Sequence, residues 1–193
     1  MIEFLKSRAA LIGALFGLFG GVLSKLLVIN EMSSYYSALA SLLSLIISLM
    51  VSFLLKGKWN RALRNKLKLI SLALFTGFIA SIYLHTMNFK GSTFPFTDFQ
   101  GNTQYYIKGD VYKPAALEFR KENVQIDSDG DMIREGFGSP DEKDKAWTQK
   151  SIDDNELKLV FSYSLVILFF VSLVSVLIEV LVGHYHKFTL KTQ

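Results

Sequence analysis

Long runs with almost no charge alternate along the chain with short stretches crowded with it. The apolar runs cover residues 9–29, 35–55, 67–86 and 159–182. Lys25, Lys68 at the rim of the third and Glu179 near the end of the fourth are their only charged residues. Each run holds about 20 residues, and at ~1.5 Å per residue that crosses a ~30 Å hydrocarbon core. Their polar residues are mainly Ser, Thr and Gly, which lipid-embedded helices accept, whereas a soluble helix of this length would show a polar face. The pattern predicts an all-α polytopic membrane protein with four transmembrane helices. The first run has an alternative reading as a signal peptide, with Lys6 and Arg8 as its basic start. It is longer than a ~7–15-residue signal core, so a retained helix is the expectation.

Between the third and fourth helices lies a polar segment, residues 87–158, read as a small α+β extracytoplasmic domain. It opens with Phe89, Phe94, Phe96, Phe99, Tyr105 and Tyr106, read as a small core plus an aromatic belt at the membrane surface, or as a docking surface for an external ligand. Gln104 to Lys108 reads as a strand, and Gly109 with Asp110 as a turn. Pro114 suits the first position of a helix reaching Asn123. Ser151 to Asp154 resembles a helix start with a carboxylate in its first turn. No breaker follows before His184, so the domain should run into the fourth span as one continuous helix. The chain thus divides into residues 1–86 (three membrane helices with a basic loop, 56–68), 87–158 (the outer domain) and 159–193 (the fourth helix and a tail).

Composition and charge orient this layout. Half of the 193 residues are hydrophobic, 20% are charged and none is cysteine, which excludes a disulfide scaffold and thiolate chemistry. Mean hydropathy is +0.30 and the isoelectric point about 9.2. Segment 87–158 carries ten basic and fourteen acidic residues, net −4, while the remainder carries eleven basic and three acidic, net +8. The basic loop holds Lys56, Lys58, Arg61, Arg64, Lys66 and Lys68 with no acid, and both termini add further Lys and Arg. Basic segments stay in the cytoplasm. The expected placement is a bacterial inner membrane, with both termini cytoplasmic and residues 87–158 periplasmic. The positive charge then meets the anionic cytoplasmic leaflet rather than nucleic acid. The same loop could dock a cytoplasmic protein, with Trp59 as an anchor.

Candidate chemistry is sparse. Asp127, Asp129 and Asp131 alternate around Gly130, as in a calcium loop. The EF-hand pattern nevertheless fails, because its glycine and glutamate positions fall on Met132 and Gly138. A solvated turn is the plainer reading. Gly13, Gly17 and Gly21 form a close-packing stripe in the first helix, and Ala73, Gly77 and Ser81 form one in the third. Ser37, Ser41, Ser44, Ser48 and Ser52 share one face of the second helix, as a packing seam or a polar pore lining. These stripes predict a homo-oligomer, with a tetramer preferred. Glu179 could meet Lys66 or Lys68. Ser151, Asn155 and Glu179 lie on the helix expected to couple the two sides. No phosphate loop, nucleophile elbow or zinc motif occurs, so neither enzymatic activity nor a cofactor is expected.

The layout, with the stretch from Val111 to Phe119 and the later Trp147, Ser151 and Ile152, resembles the KwaA family of membrane subunits of the Kiwa anti-phage defence system. The resemblance covers the whole chain as architecture. It implies a non-enzymatic inner-membrane sensor and scaffold that assembles with a cytoplasmic, KwaB-like DNA-binding subunit. The serine face leaves another function open, an oligomeric ion channel or membrane-perturbing effector.

Overall fold

A computed structural model of the protein describes residues 29–55, 61–98 and 100–189. After a 3-10 turn, Asn30–Met32, helix α1 spans Ser33–Leu55 and α2 spans Arg61–Ser92. Strands β1, Thr93–Thr97, and β2, Thr103–Ile107, pair antiparallel, with Phe94 opposite Tyr106 and Phe96 opposite Gln104. Helix α3, Pro114–Glu122, is followed by α4, Asp129–Met132, which runs on into a π-helical turn, Ile133–Phe137. A second 3-10 turn, Pro140–Glu142, leads to α5, Lys143–Ala146, and then to the long α6, Gln149–Thr189.

Three helical stretches, Ser33–Leu55, Asn65–Ser92 and Gln149–Val180, are long and apolar enough to cross a membrane. The chain is a membrane-embedded protein. Residues 9–28, with Gly13, Gly17, Gly21 and Lys25, lie outside the described residues, as do Lys56, Lys58 and Trp59. Helix α2 begins at Arg61, so Arg61, Arg64, Lys66 and Lys68 belong to a helix and not to the expected loop.

Three serines of α1 close their hydrogen bonds on their own helix, as hydrocarbon demands. Ser37 and Ser41 donate to the carbonyls of Ser33 and Ser37, at 3.0 and 2.9 Å, and Ser44 donates to that of Ala40. This i−4 bonding hides each hydroxyl against its own helix. Helix α6 packs against both α1 and α2. Their shared core is Phe78, Val166, Ile167, Phe170 and Val171, with Leu43, Ile47 and Phe169 packed on it. Leu45, Leu49 and Phe53 of α1 and Leu72, Phe75 and Ile79 of α2 face outward, which costs little where the surroundings are acyl chains.

The outer domain is built on the end of this bundle. Its core holds Phe94, Ile107, Ala116, Met132, Ile133 and Trp147, but also Ile29 and Met32 from the turn before α1, Tyr36 from α1, and Ile152 and Leu159 from α6. Lys143 clamps the entry to α1 by binding Glu31 at 2.6 Å. The starts of α1 and α6 and the end of α2 therefore lie together under residues 93–148. The ends of the elements differ from expectation for a tertiary reason. Helix α2 continues past residue 86 to Ser92, where β1 begins with no intervening loop. Helix α6 starts at Gln149, ahead of Ser151, because Ser151 and Ile152 donate their N–H groups to the Thr148 carbonyl. The segment before it is pinned by Lys113 N–H to the Ala146 carbonyl at 2.8 Å and Thr148 N–H to the Val111 carbonyl at 2.9 Å.

At Gly77 α2 and α6 approach closely: a Cβ there would stand 2.5 Å from the Phe169 ring. Gly77→Val should destabilise the bundle by about 1–3 kcal/mol, the usual cost of overpacking. Adding Phe169→Ala should return part of the loss. Denaturant titration of the detergent-solubilised protein measures both, and an unchanged Gly77→Val midpoint would contradict the packing.

Candidate functional site

Helix α6 carries polar contacts at three levels. The outermost is centred on Asn155, which is fully buried. Its Nδ2 donates to the Lys108 carbonyl and to Asp110 Oδ1, both at 2.9 Å. Its Oδ1 accepts from Lys158 Nζ at 2.8 Å, and Lys158 also reaches Asp110 Oδ2 at 3.1 Å. One turn earlier, Ser151 Oγ donates to the Thr148 carbonyl at 2.9 Å. Ser151, Asn155 and Lys158 lie at i, i+4 and i+7, one face of the helix, and this face grips the loop of residues 108–111. The Asn155 amide holds the Asp110 carboxyl below the usual carboxylate range; partial burial opposes it and Lys158 assists.

The middle level joins the two cores. Tyr163 packs on both. Its ring stacks on Tyr36 with centroids 4.2 Å apart and lies 5.6 Å from His85. His85 is fully buried, with Nδ1 2.7 Å from Ser162 Oγ. That hydroxyl has one proton, and it points to the Leu159 carbonyl at 3.1 Å. Nδ1 is then assigned as the donor and Nε2 as the bare acceptor. Neither His85 Nε2 nor the Tyr36 hydroxyl has a hydrogen-bond partner among the described residues. Each such group costs about 1–3 kcal/mol, so the junction between the cores is tightly packed yet polar.

The innermost level is Glu179, buried, which accepts from Ser52 Oγ at 2.9 Å. The sequence offered Lys66 or Lys68 as its partners; both are exposed, and Ser52 is one donor to it. The serine row divides: Ser44 is buried, Ser48 and Ser52 are half-buried, and Ser37 and Ser41 are exposed.

The aspartate loop is not assembled as a cation cage. Asp129 accepts from Lys108 Nζ at 2.7 Å and from the Tyr112 hydroxyl at 2.6 Å, and Arg120 bonds that hydroxyl at 2.8 Å. Asp131 pairs with Arg134 and accepts from Ser128. Asp127 is exposed, and its carbonyl accepts from Arg120. Among the described residues no group of three His, Cys, Asp or Glu side chains could hold a metal. In this loop side-chain cations face Asp129 and Asp131. Its glycine has another reason, since a Cβ on Gly130 would lie 2.1 Å from the Pro95 carbonyl oxygen of β1. Burial first, then the bond to Asp129, pushes the Tyr112 phenol up to about 12, so it remains a donor at neutral pH.

Glu31, Asp110, His85, Tyr36 and Tyr163 all do structural work that sequence reasoning missed. Only His85, a lone imidazole within an apolar helix, carried any signal. The chain matches no known protein family, no curated protein and no solved structure.

Asn155→Ala should cost about 1–3 kcal/mol and accelerate amide exchange at residues 108–111. Because Asp110 is depressed in the folded state, its contribution is complete above the unfolded value, about 3.9, and lost only as pH falls through the lower folded value. Exchange protection at residues 108–111, corrected for intrinsic rates, should therefore be flat from pH 7 to about 5. A loss within that window would contradict the assignment.

Proposed function

We propose that the chain is a non-enzymatic sensor and scaffold of the bacterial inner membrane, coupling an event outside to a cytoplasmic effector. The observation that carries this reading is helix α6, which is uninterrupted over Gln149–Thr189 and contributes to both cores. From Ser151 to Glu179 it spans about 42 Å. A displacement of the outer domain would be carried along that length as a rigid movement, because an unbroken helix has no soft joint at which to absorb it.

In this reading residues 9–29 supply a fourth span, both termini are cytoplasmic and residues 87–158 are periplasmic. The exposed Lys66 and Lys68 support the orientation, since they lie at the end of α2 away from the outer domain, where the anionic leaflet attracts each basic residue by ~1 kcal/mol. The segment from Lys56 to Lys68 is the proposed docking surface for the effector. The resemblance to the Kiwa membrane subunits supports a role in anti-phage defence, with a KwaB-like DNA-binding subunit as effector and a homo-oligomer as the working form.

The test is Glu156→Pro. Glu156 is exposed, so proline there breaks α6 without removing Asn155. At normal membrane abundance the variant should lose protection of cells against phage. Full protection would show that the signal does not travel along α6. Ion leak from liposomes containing the purified chain would favour the channel reading instead.

A further inference from the structure

Where the outer domain meets the start of α6, the surface opens into a cleft of about 550 Å³ lined by Asp110, Val111, Ser151, Asp154, Leu157, Lys158 and Phe161. Its helical wall repeats at i, i+3, i+4 and i+7, so Asp154, Leu157, Lys158 and Phe161 form one stripe. The stripe changes character along its length. Its outer part is charged, whereas Leu157 and Phe161 are apolar and each 65% exposed, and Val111 across from them is 54% exposed. Large apolar side chains are not left open to water at this density without a covering.

The position of the cleft says what covers it. The long apolar run of the sequence begins at residue 159, so Phe161 stands at the edge of the hydrocarbon and Asp154, about 10 Å further out along the helix, at the depth of the lipid headgroups. An occupant must therefore be amphipathic, with its chains along Leu157 and Phe161. Its head must also suit the rim. Asp110 and Lys158 bind each other, leaving their pair close to neutral. Asp154 is exposed and has no hydrogen-bond or ion-pair partner among the described residues. The rim thus offers one unpaired carboxylate, which complements an ammonium and disfavours a purely anionic head.

We propose that this cleft binds one phospholipid with a primary-ammonium headgroup, of the phosphatidylethanolamine type. Its ammonium is held by Asp154, while the acyl chains lie on Leu157 and Phe161. A primary ammonium has three N–H donors, and a trimethylammonium has none. The cleft therefore separates ethanolamine from choline lipids by charge-assisted hydrogen bonding rather than by charge alone.

The full-length protein would be reconstituted in nanodiscs holding equal amounts of phosphatidylethanolamine, phosphatidylcholine and phosphatidylglycerol. Lipids retained on release into the gas phase would then be counted by native mass spectrometry. The ethanolamine lipid should be retained about tenfold over the choline lipid, the size of one charge-assisted hydrogen bond. Asp154→Asn should abolish that preference, and Phe161→Ala should lower retention of the bound lipid. Asp154 has no hydrogen bond or ion pair to lose among the described residues, so an unchanged melting temperature confirms that the Asn variant is folded. Equal retention of the ethanolamine and choline lipids would overturn the proposal. So would preferential retention of the glycerol lipid, an Asp154→Asn protein that keeps the preference, or displacement of the lipid by an added lysine-containing peptide.

Discussion

One helix has to serve two solvents. The first turns of α6 meet water and the outer domain; the apolar run from residue 159 meets acyl chains. In hydrocarbon an unpaired backbone group costs several kcal/mol, so α6 cannot break inside the bilayer. At its outer end Asn155 holds the loop that would otherwise be free to pull away. The core of the outer domain is therefore not self-contained: Ile152 and Leu159 of α6, Tyr36 of α1, and Ile29 and Met32 just before α1 complete it. What moves the outer domain must move α6 or break its contacts.

The contacts along α6 differ in kind from end to end. The Asn155 level is fully paired, with every amide hydrogen bond directed at the outer loop or at Lys158. The Tyr163 level is packed but leaves the Tyr36 hydroxyl and His85 Nε2 without partners among the described residues. A paired network rigidifies, and an incompletely paired one is where alternative arrangements cost least. The rigid end thus faces the outer domain, and the adjustable level lies beneath it, between the two cores.

The membrane helices were legible in the sequence because lipid removes most alternatives: a long apolar run must close its own hydrogen bonds. Their ends were not, since partners far away in the chain set them. Helix α6 gains its first turn because residues 111 and 146 anchor the preceding segment. Strand β1 was missed because Pro95 interrupts it and its aromatics read equally well as a belt. The aspartates from Asp127 to Asp131 have the spacing of a cation loop, but the cations beside Asp129 are Lys108 and Arg120 and that beside Asp131 is Arg134, all outside the aspartate run. Glu31 and Lys143 meet across 112 positions, a separation that carries no local signal. Asn155 could be placed on the coupling helix from periodicity alone; its grip on Asp110 could not.

The central claim is that α6 is a single rigid rod from the outer domain to the inner end of the bundle. Spin labels at Lys150 and Leu177, both exposed, test it by pulsed electron resonance on the protein in nanodiscs. A continuous helix puts 27 residues between them, about 40 Å, and the account predicts one narrow distance distribution centred there once the label arms are allowed for. A broad distribution, or a second population several ångströms shorter, would contradict it.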